Sequence, residues 1–280
     1  MISVIICTHN PRPHSFARVL ESLKQQTLAQ AQWELLLIDN ASAEPINSKF
    51  DLSWHSNARG IREESLGLTS ARLRGIADSI GDLLVFVDDD NVLALDYLQT
   101  AIEIAASFPC IGAFGASIAG EFEVPPPAHL KPYLAGLAVC ELTRDYWSND
   151  LVWSWSTPYG AGMVVRRPVG EHYARMVIQD EHRRLLDRLG TGLSSGGDTD
   201  LAFCAIDLGF GNGRFQKLKL THLITKERLT DEYILRLYVG FDQAGRHLEQ
   251  IRPASPSNPR DLLGGPIDWL VTLAIWIAGA

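Results

Sequence analysis

Asp88, Asp89 and Asp90 stand side by side, directly after the apolar run Leu83–Val87. Adjacent carboxylates repel one another, and local folding gives no reason to assemble three of them. A hard divalent cation supplies that reason, in particular Mg²⁺ or Mn²⁺ shared with substrate phosphates. A plainer reading makes the same acids a solvated turn that caps a helix starting near Ala94. Two other apolar runs also end in polar residues: 2–7 in Thr8-His9-Asn10, and 33–38 in Asp39-Asn40.

These runs are the elements that must position the polar groups. Continuous apolar stretches at 2–7, 33–38 and 83–87 read as strands buried on both faces. Between them, Phe16, Val19, Leu20 and Leu23 recur at helical spacing, with Asn10-Pro11 suited to N-cap and N1. A short strand is predicted near 52–55, and a helix over 65–79 with Leu66, Leu73, Ile76 and Ala77 inward. The alternation predicts an α/β fold: a mostly parallel, Rossmann-like sheet flanked by helices. Such sheets bind ligands at the carboxyl ends of their strands, where the polar clusters fall.

Beyond Cys110 the alternation loosens. Val124-Pro125-Pro126-Pro127 breaks the chain, and an aromatic stretch runs through Tyr146, Trp147, Trp153, Trp155 and Tyr159. Helical patterns return at 171–189, 198–208 and 231–250. We therefore expect one half over 1–110, a second packed on it over 111–252, and a linker with an apolar tail over 253–280. The tail segment 267–280 is nearly all apolar, yet shorter than the ~20 residues that cross a bilayer as a helix. It reads as a helix docked on the body, a helix in a membrane surface, or the stump of a membrane segment.

The composition bounds the rest. The chain has 280 residues, 46% hydrophobic and 21% charged, which is enough for a large core without disulfides or a structural metal. Twenty-five basic against 33 acidic residues leave a net charge of −8, which opposes binding to a nucleic-acid backbone. Cys7, Cys110, Cys140 and Cys204 show no zinc-site spacing, and no basic segment precedes the first strand as in a secretory signal. A cytoplasmic protein is expected, with the tail as a route to the cytoplasmic face of the membrane.

In chain order, Ser3-Val4-Ile5-Ile6-Cys7-Thr8-His9-Asn10-Pro11, Leu37-Ile38-Asp39-Asn40-Ala41-Ser42, residues 64–72 and Val85-Phe86-Val87-Asp88-Asp89-Asp90 resemble the successive motifs of the family 2 glycosyltransferases. Gly160-Ala161-Gly162-Met163 and Gly196-Gly197-Asp198-Thr199-Asp200-Leu201 extend the resemblance, which covers about residues 1–230. It implies the GT-A fold, with a nucleotide-sugar half over 1–110 and an acceptor-side subdomain beyond it. It also implies inverting transfer from a nucleoside-diphosphate sugar, UDP-linked by preference, to a glycan or lipid-linked acceptor, assisted by Mn²⁺ or Mg²⁺.

The same resemblance assigns residues. Thr8, His9 and Asn10 would cup the nucleotide, Asp39 would accept from the nucleobase, and Arg72 would lie near the nucleotide. Asp90 would ligate the metal, Asp88 would touch the ribose or the metal, and Asp89 would stand on the donor side. Asp198 aligns with the general base, and Asp200 would support or replace it. His222 would be a further metal ligand or diphosphate contact, with Lys226 and Arg228 just beyond. Trp155, Gly160, Gly162 and Met163 would form the acceptor loop. The chain departs from the pattern at Gly197, where the family usually has Glu before the Asp, and at Leu73, where many members have Asn. Two other readings stay open: a sugar nucleotidyltransferase, whose glycine-rich loop after the first strand is missing here, and a glycosyltransferase-like binding module without turnover.

Overall fold

A computed structural model describes residues 1–46, 49–188 and 192–252; the apolar tail therefore lies outside the described residues. Four parallel strands form one side of the sheet: β1 (Ile2–Thr8), β2 (Trp33–Asn40), β3 (Ala58–Glu63) and β4 (Leu83–Val87). The strands β5 (Asn91–Leu93), β6 (Ile111–Phe122), β7 (Tyr146–Ser148), β8 (Val164–Arg166) and β9 (Gly211–Ile224) follow. The order is β3-β2-β1-β4-β8-β6-β9-β5, with β7 paired to β9. β8 runs antiparallel between β4 and β6, so strands from both halves of the chain share one sheet.

The central strands β1, β2 and β4 are almost wholly buried because helices cover both faces. Residues alternate sides along a strand, so Ile2, Val4 and Ile6 join one buried cluster while Ile5 joins the other. The helices α1 (Pro13–Lys24) and α3 (Tyr97–Ser107) supply the first cluster, and α2 (Leu68–Asp78), α4 (Arg167–Gln179) and α5 (Gly197–Asp207) the second. A third cluster joins the 3₁₀ segment Ala128–Leu137 to the helix α6 (Asp231–Ile251) through Leu130, Leu137, Ile234 and Leu237. Among the described residues, no helix is long and apolar enough to cross a membrane.

Several local expectations are corrected. The first helix starts at Pro13, which takes the N1 place assigned to Pro11. Asn10 lies outside it in the left-handed region, φ 50°, where its side-chain carbonyl accepts from the Ala43 amide at 2.9 Å. The third strand begins at Ala58, after the turns that hold residues 52–55. Gly67, at φ 138°, sets the start of α2, leaving Leu66 exposed before it. Ala77 is exposed as well; the inward face is Thr69, Ala71, Arg72, Gly75 and Ile76. The pattern over 171–189 divides into α4 and a 3₁₀ turn, Glu181–Leu186.

Asp200 belongs to this framework. Its carboxylate is fully buried and takes Arg183 at 2.5 Å and Arg252 at 2.6 Å, tying α5 to the 3₁₀ turn and to the end of α6. Removing one partner of a buried ion group strands the others, at a cost of about 3–5 kcal/mol. Asp200→Ala is therefore expected to lower stability by about 3 kcal/mol in denaturant unfolding. A change below about 1 kcal/mol, the scale of an exposed ion pair, would remove this structural role.

Candidate active site

The carboxyl ends of β1, β2 and β4 open into a cleft of about 2160 Å³. Thr8, His9, Asn40, Arg72, all three acids of the triad, Asp187, Asp198, His222 and Arg228 line it. Sheet register explains the convergence. Ile6 pairs with Val87, which places Thr8 beside Asp89, and the Thr8 hydroxyl donates to the Asp89 carboxylate. The helix read as starting near Ala94 begins at Tyr97; just before it, β5 pairs antiparallel with β9 and sets Asn91 opposite His222. A histidine 132 positions beyond Asp90 thereby reaches the triad. Asn91, fully buried, pins the loop: its carbonyl accepts from the Asp88 amide at 3.2 Å and its amide donates to Asp90 at 3.0 Å.

The residues around Asp90 suit a divalent cation. The His222 Nδ1 lies 2.8 Å from the Leu137 carbonyl, which can only accept, so the ring proton belongs on Nδ1. The Nε2 lone pair is left aimed at the cleft, 3.2 Å from an Asp90 oxygen. Two acceptors at that distance call for a cation between or beside them, and an oriented imidazole with a carboxylate is a metal-ligand pair. In this structure the Arg228 guanidinium serves both, at 3.0 Å from Asp90 and 3.2 Å from Nε2. The triad divides its charge accordingly. Burial and the neighbouring Asp90 push the Asp88 carboxyl up to about 6 and that of Asp89 up to about 7. Burial also works against Asp90, but His222, in its protonated form, and Arg228 outweigh it and bring its carboxyl down to about 2.

Asp198 lies on the opposite side of the same cleft, in the first turn of α5. Its Oδ2 accepts from the Gly160 amide at 2.9 Å, and its Oδ1 lies 3.6 Å from Arg72. Arg72 is only 4% exposed, so it is no surface arginine; it projects from α2 into the site, where Asp187 and Asp198 support its charge. A side chain at Gly160 would enter this contact, its Cβ 2.8 Å from Asp198 and 3.0 Å from Arg72. Asp198 also raises the Asp88 carboxyl through space, which links the two sides of the cleft.

Other expected site residues are placed elsewhere. Asp39 is buried and saturated: it accepts from the Ser42 and Ile46 amides and from Arg62 at 2.8 Å, so it organises its own loop. Asn10 is engaged with Ser42 and Ala43. Asp200 is locked behind α5 by its two arginines. Gly162, at φ 68°, accepts from the Tyr97 hydroxyl, and Met163 is fully buried in the core. Trp155 stacks on Tyr146, and it is Trp153, with Leu151 and Val152, that lines the cleft. Lys226 is exposed and off the cleft wall. Asp187 and Arg188 line the cleft without any motif having marked them; only the fold brings them there.

The raised Asp88 and Asp89 have a measurable consequence. The folded, metal-free protein binds more protons than the unfolded chain between about pH 4 and 7, so these groups lower stability as pH rises through that window. In metal-free protein, Asp89→Asn is expected to lessen the fall in stability between about pH 5 and about pH 7.5, by on the order of 1 kcal/mol. Superimposable pH profiles for variant and parent would contradict the crowding of the triad.

Residues 3–164 match the model of Glycosyl transferase family 2. A glucosyl-dolichyl phosphate glucuronosyltransferase of Haloferax volcanii is 24% identical over 148 residues, 50% of this chain and 45% of its own. An uncharacterized glycosyltransferase of Haemophilus influenzae is 30% identical over 112 residues, 40% of this chain and 36% of its own. The chain thus spans under half the length of these curated relatives. Among solved structures, the mannosyltransferase PcManGT from Pyrobaculum calidifontis, in complex with GDP-Man and Mn²⁺, aligns with a TM-score of 0.60 at 15% identity, over 99% of this chain and 69% of that one. S. aureus TarS 1–349 in complex with UDP-GlcNAc aligns with a TM-score of 0.56 at 15% identity, over 89% of this chain and 66% of that one. Identities this low speak for the fold alone. With more than half of its length matched by the family and its sheet built in the GT-A manner, the chain belongs to glycosyl transferase family 2.

Proposed function

We propose that this chain is an inverting glycosyltransferase, moving a sugar from a nucleoside-diphosphate donor, UDP-linked by preference, to a glycan or lipid-linked acceptor. The observation that carries the reading is the pairing within one cleft of a cation-ready cluster, Asp88, Asp90 and His222, with an oriented carboxylate, Asp198. Asp90 and the His222 Nε2, with Asp88, would hold Mn²⁺ or Mg²⁺, which when bound supplies positive charge for the departing diphosphate.

The protein groups carry the remaining chemistry. Thr8 and His9 face the donor side of the cleft, and Arg228 brings charge to the same edge. Asp198 takes the proton of the acceptor hydroxyl as that oxygen attacks the anomeric carbon. The bond to the diphosphate breaks on the other face, its electron pair leaves with the nucleotide, and the configuration inverts in one displacement. Arg72 and the Gly160 amide fix the carboxylate in place. On the acceptor side, Trp153 with the exposed Leu151 and Val152 offers an aromatic and apolar wall suited to a sugar face or a lipid carrier. The Haloferax relative's name refers to a dolichyl phosphate-linked sugar, which supports the lipid-linked alternative.

Thermal-shift measurements with UDP, GDP, CDP and dTDP, each with and without Mn²⁺, test the donor site, since ligand binding stabilises the folded state. A metal-dependent shift for one nucleotide is expected; none for any of them would sink the reading. Asp198→Asn is expected to keep that shift while losing transfer by about 10²–10⁴-fold. Wild-type protein that binds donor yet transfers nothing to any acceptor would instead identify a binding module. Gly160→Ala should lose transfer by a similar factor, about 10²-fold, because its methyl displaces Asp198 from Arg72.

A further inference from the structure

Asp187 is a deeply buried carboxylate of the cleft to which the proposed reaction gives no task, and this inference rests on that proposed function. It follows the 3₁₀ turn Glu181–Leu186 and is 4% exposed. Its Oδ2 accepts from the Thr69 hydroxyl at 2.8 Å, and both of its oxygens face Arg72 Nη1, at 3.1 and 3.3 Å. The other terminal nitrogen of Arg72 is the one directed at Asp198. The carboxyl group lies flat against Gly197: a Cβ built there would be 2.3 Å from its carbon and from both oxygens. Asp187 and a side chain at position 197 therefore compete for one volume.

We infer that Asp187 is a positioning residue that fills, from a separate segment, the place a side chain at 197 would take, and that it aims Arg72 at Asp198. Three facts converge on this. The guanidinium is buried, and a buried charge needs a fixed partner. Its hydrogen bonds go to Asp187, so Asp187 sets its orientation. The residue just before Asp198 is glycine, the one side chain that leaves Asp187 its room. The departure of Gly197 from the Glu-Asp pattern is then a relocation of the acid and not a loss of it.

The test transposes the carboxylate in the full chain. Asp187→Ala and Gly197→Glu are each expected to lower the melting temperature, the first by stranding Arg72, the second by forcing Asp187 aside. The double variant is expected to melt above both singles, because the new carboxylate has the vacated space. Additive losses in this cycle would overturn the shared-volume claim, and that result needs no activity assay. For positioning, Asp187→Asn keeps the shape and removes the charge. It should lower kcat by about 10²-fold with the donor KM unchanged, and the Asp187→Ala/Gly197→Glu pair should regain much of that loss. An unchanged kcat in Asp187→Asn, with transfer measurable in the parent, would overturn positioning. Should the parent transfer no sugar at all, the proposed function fails, while the melting cycle still decides whether Asp187 occupies the place of a 197 side chain.

Discussion

Mutual repulsion among Asp88, Asp89, Asp90, Asp187 and Asp198 is the constraint around which the cleft is organised. Five carboxylates on one concave surface are tolerable only if cations reach in among them. Arg72 and Arg228 do so from opposite sides. The depth of Arg72 follows from packing. Gly75, one turn further along α2, lets the helix settle on β1 so closely that an added Cβ would meet Ile5 at 2.4 Å. A helix held further out would leave the guanidinium short of both aspartates.

The topology answers the same constraint. A purely local fold would leave the triad facing solvent beside its own loop. Here the antiparallel strands β5 and β9 carry His222 against Asp90, and Arg228 follows on the 3₁₀ turn after β9. The Leu223 amide also donates to the Asp90 backbone carbonyl at 2.9 Å, which fastens the two segments together. Charge compensation therefore depends on strand pairing between residues far apart in the chain.

Three strands of the sheet, β1, β2 and β4, and the acidic edge of the cleft were legible in the sequence because they rest on period and order. The runs at 33–38 and 83–87 are too apolar to be anything but doubly covered strands, and the acids at their ends fall where such sheets bind ligands. Three kinds of feature were not legible. The solvent-facing edge strand β3 carries only half-buried and exposed residues and gives no apolar run, so the nearby Leu52 misled. Asp39 looks like a nucleotide contact and Asp200 like a catalytic acid; only the contacts reveal that loop amides and arginines already engage them. Asp187 carries no local pattern at all, since its value comes from a glycine ten positions away and an arginine on another helix.

The carbonyl that settles the His222 ring belongs to Leu137, whose side chain sits in the third cluster with α6. The acidic edge of the cleft and the third cluster thus share a hinge-pin. Ile224 and Leu237 can drift in sequence only while the backbone at 137 stays still, or the imidazole turns. Divergence in the third cluster is for that reason tethered to the ring that meets Asp90. An exchange of the 128–137 segment between relatives has to keep the carbonyl at 137 in place to keep the ring facing Asp90.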